Sequence, residues 1–179
     1  MGVAGRYNHT VIRPLAVADA AAWRVLRLRA LREEPEAFVI TAEEEARRGL
    51  RDTRSRFRAH GRERNILGAF EDGELVGCVG YYRESYTKIR HKAAIWGMYV
   101  APEQRGRGVG RALMEGALQR IGRLRGVEQV HLAIWAGNRA ARALYGSLGF
   151  RRTGIERRAA KLGRRYLDDE TMVLWLRTS

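Results

Sequence analysis

Gln104-Arg105-Gly106-Arg107-Gly108-Val109-Gly110-Arg111 alternates small and cationic residues over a single short stretch. Upstream, Ala93 to Val100 is an apolar run that ends at Ala101-Pro102. Downstream, the segment from about Gly108 to Arg125 places Val109, Leu113, Ala117, Ile121 and Leu124 on one side at helical spacing. The stretch is therefore a glycine-rich turn joining a strand to a helix. Such a turn exposes several backbone N–H groups, and the helix dipole adds positive potential, so it suits a phosphate or pyrophosphate. Two familiar nucleotide loops do not fit. The Walker pattern needs Gly-Lys-Ser/Thr, which is missing, and the dinucleotide pattern GxGxxG fails because position 111 is arginine. A tight turn of purely structural purpose is the competing reading of the loop taken alone.

Working outward, Thr10 to Pro14 reads as a short strand stopped by proline. Asp19 to Glu34 reads as a helix with Trp23, Leu26, Ala30 and Leu31 on its apolar side, ended by Pro35. Thr41-Ala42-Glu43-Glu44 has capping-box spacing and starts a second helix, with Ala46, Leu50 and Phe57 as the expected apolar stripe. Asn65 to Phe70 and Leu75 to Tyr82 flank Glu71-Asp72-Gly73-Glu74, a hairpin signal. Val127 to Trp135 alternates, Asn138 to Leu148 is a short helix closed by Gly149, and strands at about Phe150 to Arg158 and Glu170 to Leu176 follow. The order β-α-α-β-β-β-α-β-α-β-β implies an α/β fold, a mixed sheet with helices on both faces, in one domain spanning residues 1–179.

Composition narrows the partners. Hydrophobic residues make up 45% and charged residues 30%, a globular balance. No apolar run is long enough for a membrane span, and the N-terminus has no apolar signal core, so no membrane partner or export is expected. Cys78 is the single cysteine, which fits a reducing cytoplasm. The net charge of +14 is almost all arginine, since lysine occurs only at Lys88, Lys92 and Lys161. Basicity invites a nucleic-acid partner. The arginines are scattered, however, and no zinc pair or aromatic stacking motif accompanies them. The dense run from Arg47 to Arg64 reads as a solvated helix face. His9, His60 and His131 lack metal-ligand spacing, so no metal is expected.

Two motifs raise the glycine loop above a structural turn. Val100, Pro102, Arg105, Gly108 and Gly110 match V-x-P-x-x-[QR]-x-x-G-x-[GA], and Asn138 to Phe150 matches N-x-x-A-x-x-L-Y-x-x-x-G-F. Together they resemble the two acetyl-CoA motifs of the GNAT superfamily of N-acetyltransferases. The resemblance implies a central sheet with a splayed strand pair that admits the pantetheine arm of acetyl-CoA, the expected co-substrate. The backbone of Met98, Tyr99 and Val100 would bond that arm like an added strand. The amides of Arg105, Gly106, Arg107, Gly108, Val109, Gly110 and Arg111 would wrap the pyrophosphate. Asn138 would hold the arm from the next helix start, although Asn is also a plain N-cap. Tyr145 occupies the family's general-acid position, with packing on the sheet as the alternative.

The implied reaction moves an acetyl group from acetyl-CoA directly to a primary amine, on a small molecule or a peptide. A non-catalytic acyl-CoA-binding or nucleic-acid-associated module on the same fold is the alternative. Many relatives carry a glutamate on the central strand, but here that strand holds no carboxylate. Glu84, His91, Tyr82 or a water chain stay open as the base. Cys78 lies mid-strand, where a small buried hydrophobe is the ordinary occupant. Acidic islands at Glu33, Glu34, Glu36, Glu43, Glu44 and Glu45, and at Asp168, Asp169 and Glu170, predict a cationic acceptor if they are free. Offsetting neighbours such as Arg47, Arg48 and Arg165 is the competing reading. Whether the chain pairs as a homodimer is left open.

Overall fold

The computed structural model describes residues 10–176, which leaves His9 outside. Seven strands form one sheet in the order β1-β2-β3-β4-β5-β7-β6. They are β1 Val11–Pro14, β2 Arg64–Glu71, β3 Glu74–Arg83, β4 Lys92–Val100, β5 Gln129–Trp135, β6 Arg151–Leu162 and β7 Arg165–Trp175. The helices are α1 Ala20–Glu33, α2 Ala42–Arg47, α3 Leu50–Arg58, α4 Val109–Gly122 and α5 Arg139–Ser147. The β2–β3 turn has φ of 49° at Asp72 and 84° at Gly73, the pair of left-handed residues that lets a tight hairpin follow the strand twist.

Alternation along the strands sorts the core onto two faces. Leu67, Val79, Tyr81, Ile95 and Val130 face α4, whose Val109, Leu113, Met114, Ala117 and Ile121 are buried against them. Ile66, Phe70, Cys78 and Tyr99 face the other way, toward Trp23, Leu26 and Ala30 of α1 and Phe57 of α3. Each fully buried aliphatic side chain contributes about 1.5–3 kcal/mol, so α4 is held chiefly by its apolar stripe.

The sheet is mixed because β4 and β5 run parallel while the other neighbouring pairs are antiparallel. That parallel pairing lasts only through Lys92↔Gln129, Ala93↔Val130 and Ala94↔His131. Beyond it the strands part. On the other edge of β4, the register with β3 shifts between Gly80↔Trp96 and Cys78↔Tyr99, placing an extra residue in β4 around Gly97, whose φ is +65°. A bulge of this kind bends its strand, and here it lies where β4 turns away from β5. The splayed pair implied by the resemblance is present.

Two local readings are corrected. The second helix is broken into α2 and α3 at Arg48-Gly49, and its buried residues are Ala42, Glu45, Thr53 and Phe57, while Ala46 is exposed. Each half supplies its own N-terminal cap: Thr41 and Glu44 in α2, and the Asp52 carboxylate accepting from the Gly49 N–H in α3. The final hairpin is also longer than the alternation suggests. It runs through residues 159–169, with a register shift between Glu156 and Ala160 and a positive φ at Arg158.

Candidate active site

Where β4 and β5 separate, a cleft of about 690 Å³ opens between the end of β4, the turn before α4 and the start of α5. Its walls include Met98, Tyr99, Val100, Arg105, Gly106, Gly108, Val109, Gly110, Arg111, Asn138 and Tyr145. The structure thus gathers on one cavity nearly all the residues expected to bind acetyl-CoA or to serve as general acid. Arg107 is the exception. Its guanidinium turns to Gln104 and to Glu71, 3.5 Å away, outside the lining.

The turn before α4 has the geometry of an anion cradle. Gly106 and Gly108 adopt φ of +74° and +85°, and no heavy atom lies within 4 Å of where a Cβ would sit on either. These glycines are required by backbone conformation rather than by crowding from the protein, and the open space leaves the loop amides accessible. Gly108 is the N-cap of α4, so the unpaired first-turn N–H groups of that helix point at the same space.

The exposed edge of β4 follows from strand alternation. The Ala101 N–H donates to Val76 O of β3 at 2.9 Å, so the N–H and C=O of Val100 point the opposite way, into the gap. The Val100 carbonyl accepts from Arg105 Nε at 2.9 Å, and the same guanidinium pairs with Glu34 at 2.9 Å. The Tyr99 carbonyl faces β3 instead, 3.0 Å from where a Gly77 Cβ would lie. Its ring crosses to the α1 side, where the phenol donates to Glu33 at 2.5 Å. Burial and that carboxylate push the Tyr99 phenol pKa up.

Asn138 caps α5 by accepting from the Ala141 N–H at 3.0 Å. The cap leaves its side-chain amide donors free to face the cleft. Tyr145 packs on Phe150 with ring centroids 6.0 Å apart and is 5% exposed. Its hydroxyl has no hydrogen-bond partner among the described residues, and burial pushes its pKa up to about 12. Charging a phenol inside an apolar wall is costly, so this one keeps its proton at neutral pH.

The match to the Acetyltransferase (GNAT) family covers residues 25–150. This chain belongs to the GNAT acetyltransferase family. A mycothiol acetyltransferase from Thermobispora bispora is 34% identical over 146 residues, 77% of this chain and 45% of the relative. The chain spans about half the length of the curated relatives it matches. A GNAT-family acetyltransferase from Streptococcus pneumoniae shares the fold with a TM-score of 0.86 at 20% identity, covering 94% of this chain and all of that one. A putative acetyltransferase from Salmonella typhimurium, solved with its cofactor acetyl-CoA, has a TM-score of 0.78 at 23% identity, covering 96% of each chain.

Against the GNAT pattern, the sites weighed for a base fall outside the cleft. Tyr82, Glu84 and His91 do not line it; the Glu84 N–H bonds Lys92 O at the far end of β4. Among the described residues the only carboxylates on its wall are Glu34 and Glu36, and each is held by an arginine, Arg105 at 2.9 Å and Arg165 at 3.0 Å. Both belong to the acidic island at Glu33 to Glu45, and the fold turns them to the cleft. Most of the two acidic islands is similarly matched: Glu33 by Arg29, Glu45 by Arg48, Asp168 by Arg157 and Glu170 by Arg142. Phe38 and Trp135 also line the cleft. The signal for Phe38 is an aromatic three residues after Pro35, in the short link between two helices, and for Trp135 its place at the end of β5.

Proposed function

We propose that this chain transfers the acetyl group of acetyl-CoA to a primary amine in the cleft between β4 and β5. The observation that carries the reading is the convergence on one cavity of an anion cradle at Gly106 and Gly108, an open strand edge at Val100 and a buried, protonated Tyr145. Acetyl-CoA would lie with its pyrophosphate on the cradle, and it supplies the acetyl group as an activated thioester.

The chain's own groups divide the remaining work. Amides from Arg105 to Arg111 hold the diphosphate, and the Met98 and Val100 backbone and Asn138 orient the arm. The Val100 N–H points into the gap, where it can donate to a carbonyl oxygen and favour negative charge there. Tyr145 holds a proton at Oη for a departing thiolate, whose acid has a pKa of about 8.5. Cys78 is buried, and burial pushes its thiol up to about 11. It is a poor nucleophile there, which favours direct transfer without an acyl-enzyme. An arginine-paired carboxylate is a weak base, so the amine enters the reaction already neutral. For a lysine-like amine at pH 7.4 that costs about 4 kcal/mol. The reading takes residues 1–179 as one domain acting in a reducing cytosol.

Thioester cleavage measured across an amine panel, alongside acetyl-CoA binding by calorimetry, tests this. Amine-dependent cleavage is expected. Tight binding with no cleavage on any amine would leave a non-catalytic acyl-CoA-binding module instead.

A further inference from the structure

Arg27 lies on α1 one turn after Trp23 and is 7% exposed. Its guanidinium reaches into the layer between α1 and the sheet. Cζ sits 4.5 Å from the centroid of the Phe38 ring, and Nη1 comes 3.7 Å from where a Cβ on Gly97 would lie, at the β4 bulge. Nε is fully buried without a hydrogen-bond partner, as is Trp23 Nε1 on the same side of the helix. Among the described residues Arg27 makes no hydrogen bond or ion pair at all. A buried, unpaired cation is strongly disfavoured unless something compensates it.

The neighbouring groups compensate it only in part, through the face of the Phe38 ring and the field of Glu45, with no direct ion pair among the described residues. Glu45, the buried carboxylate on this side of the sheet, is shared by Arg48 at 3.4 Å and Arg56 at 3.8 Å. Cys78 stays a neutral thiol at pH 7. Burial lowers the Arg27 pKa; Cys78 and Glu45 offset part of that, and Arg56 and Arg48 add to it. Three guanidinium groups thus face a single carboxylate. The Phe38 ring against Arg27 is also a wall of the main cleft and of a second cavity of about 340 Å³ beneath the β6–β7 hairpin. Arg27 itself lines neither cavity, but the Phe38 ring it packs on walls both.

We propose that Arg27 recognises a carboxylate on the acceptor, so that the amine acetylated here carries a carboxylate close to its nitrogen, as amino acids do. This rests on the acetyltransferase reading above and names its substrate class. A planar guanidinium takes a carboxylate through two parallel hydrogen bonds, and a desolvated site strengthens them. The placement beside Gly97 puts that contact one residue before Met98, in the part of β4 that has parted from β5. The cleft's own carboxylates, Glu34 and Glu36, are already engaged by arginines. Arg27, beside Gly97, makes no such ion pair among the described residues.

The test uses matched acceptors: common amino acids, each paired with its carboxamide, with acetyl-CoA consumption as the readout. For the wild type, kcat/KM should favour the acid over its carboxamide at least tenfold, equal to about 1.4 kcal/mol. Arg27→Gln should reduce that preference below about twofold, with the change in KM rather than kcat, and with acetyl-CoA affinity by calorimetry unaltered. Arg27→Lys should restore part of the preference, because it keeps the charge and loses the fork. Equal use of acid and carboxamide by the wild type overturns the proposal, whatever the variants do. So does an Arg27→Gln protein that loses both activities in equal proportion, as a structural role predicts. Acetyl-CoA binding with no acceptor of either kind consumed would instead remove the transferase reading itself.

Discussion

Replacing Tyr145 with Phe isolates a single oxygen. The ring is 5% exposed and packs on Phe150, contacts that Phe keeps. The hydroxyl has no partner among the described residues, so removing it strands no donor or acceptor. Stability should hold to within about 0.5 kcal/mol, since the hydroxyl on the cleft wall supports no other group. Catalysis should respond differently. General-acid assistance is worth about 10²–10⁴-fold, and a thiol with a pKa of about 8.5 needs the smaller share because it leaves fairly well unaided. The expected loss in kcat is therefore about 10²-fold, equivalent to about 2.7 kcal/mol. Initial rates of thiol release under saturating amine, thermal unfolding and acetyl-CoA calorimetry on the same preparation separate the possibilities. A Tyr145→Phe enzyme with full kcat would show that the side chain only packs, and the proton-donor argument would be refuted.

Three further outcomes follow from particular contacts. With Tyr145 raised to about 12, its protonated form persists well above neutral pH, so this acid imposes no alkaline loss below that range. Because the cleft carboxylates are arginine-bound, log kcat/KM should climb about one unit per pH unit toward the pKa of the acceptor amine. A plateau near pH 6–7 would reveal an enzyme base. Gly108→Val forces a β-branched residue into a left-handed backbone, a strain of about 1–3 kcal/mol, and should weaken acetyl-CoA binding at least tenfold by calorimetry. Unchanged affinity in a folded variant removes the loop from the binding site. Glu170, buried in β7, has its pKa lowered chiefly by its hydrogen bond to Arg142. A depressed carboxylate stabilises the fold above its unfolded pKa and loses that contribution as pH falls through the folded value. Glu170→Gln should therefore cost about 2 kcal/mol at pH 7 by denaturant unfolding, and the deficit should shrink in acid. An equal deficit at both pH values would mean the ion pair is not its source.

The legible parts of the molecule were those where one physical rule governs. The stripe from Val109 to Ile121 is an uninterrupted helical repeat, and Asp72-Gly73 leaves the chain little choice but a hairpin. The glycine pattern from Gly106 to Gly110 marked the cradle because only glycine takes those positive φ values at no steric cost. What escaped notice depended on long-range partners. The helix break at Gly49 is stabilised by the Asp52 carboxylate, a polar contact that apolar periodicity does not register. Acidic residues look free along the chain, yet Glu36 meets Arg165 far away in sequence. Arg27 sits among α1 residues whose spacing predicts a buried face, and charge alone argues against placing it there. Its burial becomes visible only when Phe38 and the β4 bulge close over it.

The central claim is that this cleft moves acetyl from a thioester to a nitrogen, and the product balance tests it most directly. Purified protein, acetyl-CoA and a responsive amine are quenched over time, with free CoA thiol, N-acetylated amine and intact protein mass measured together. The account predicts one N-acetyl product for each thiol released, an amine-dependent rate, and no acetyl adduct on the protein at Cys78. Thiol release without an N-acetyl product, or an acetylated Cys78 that is discharged by the amine, would contradict it.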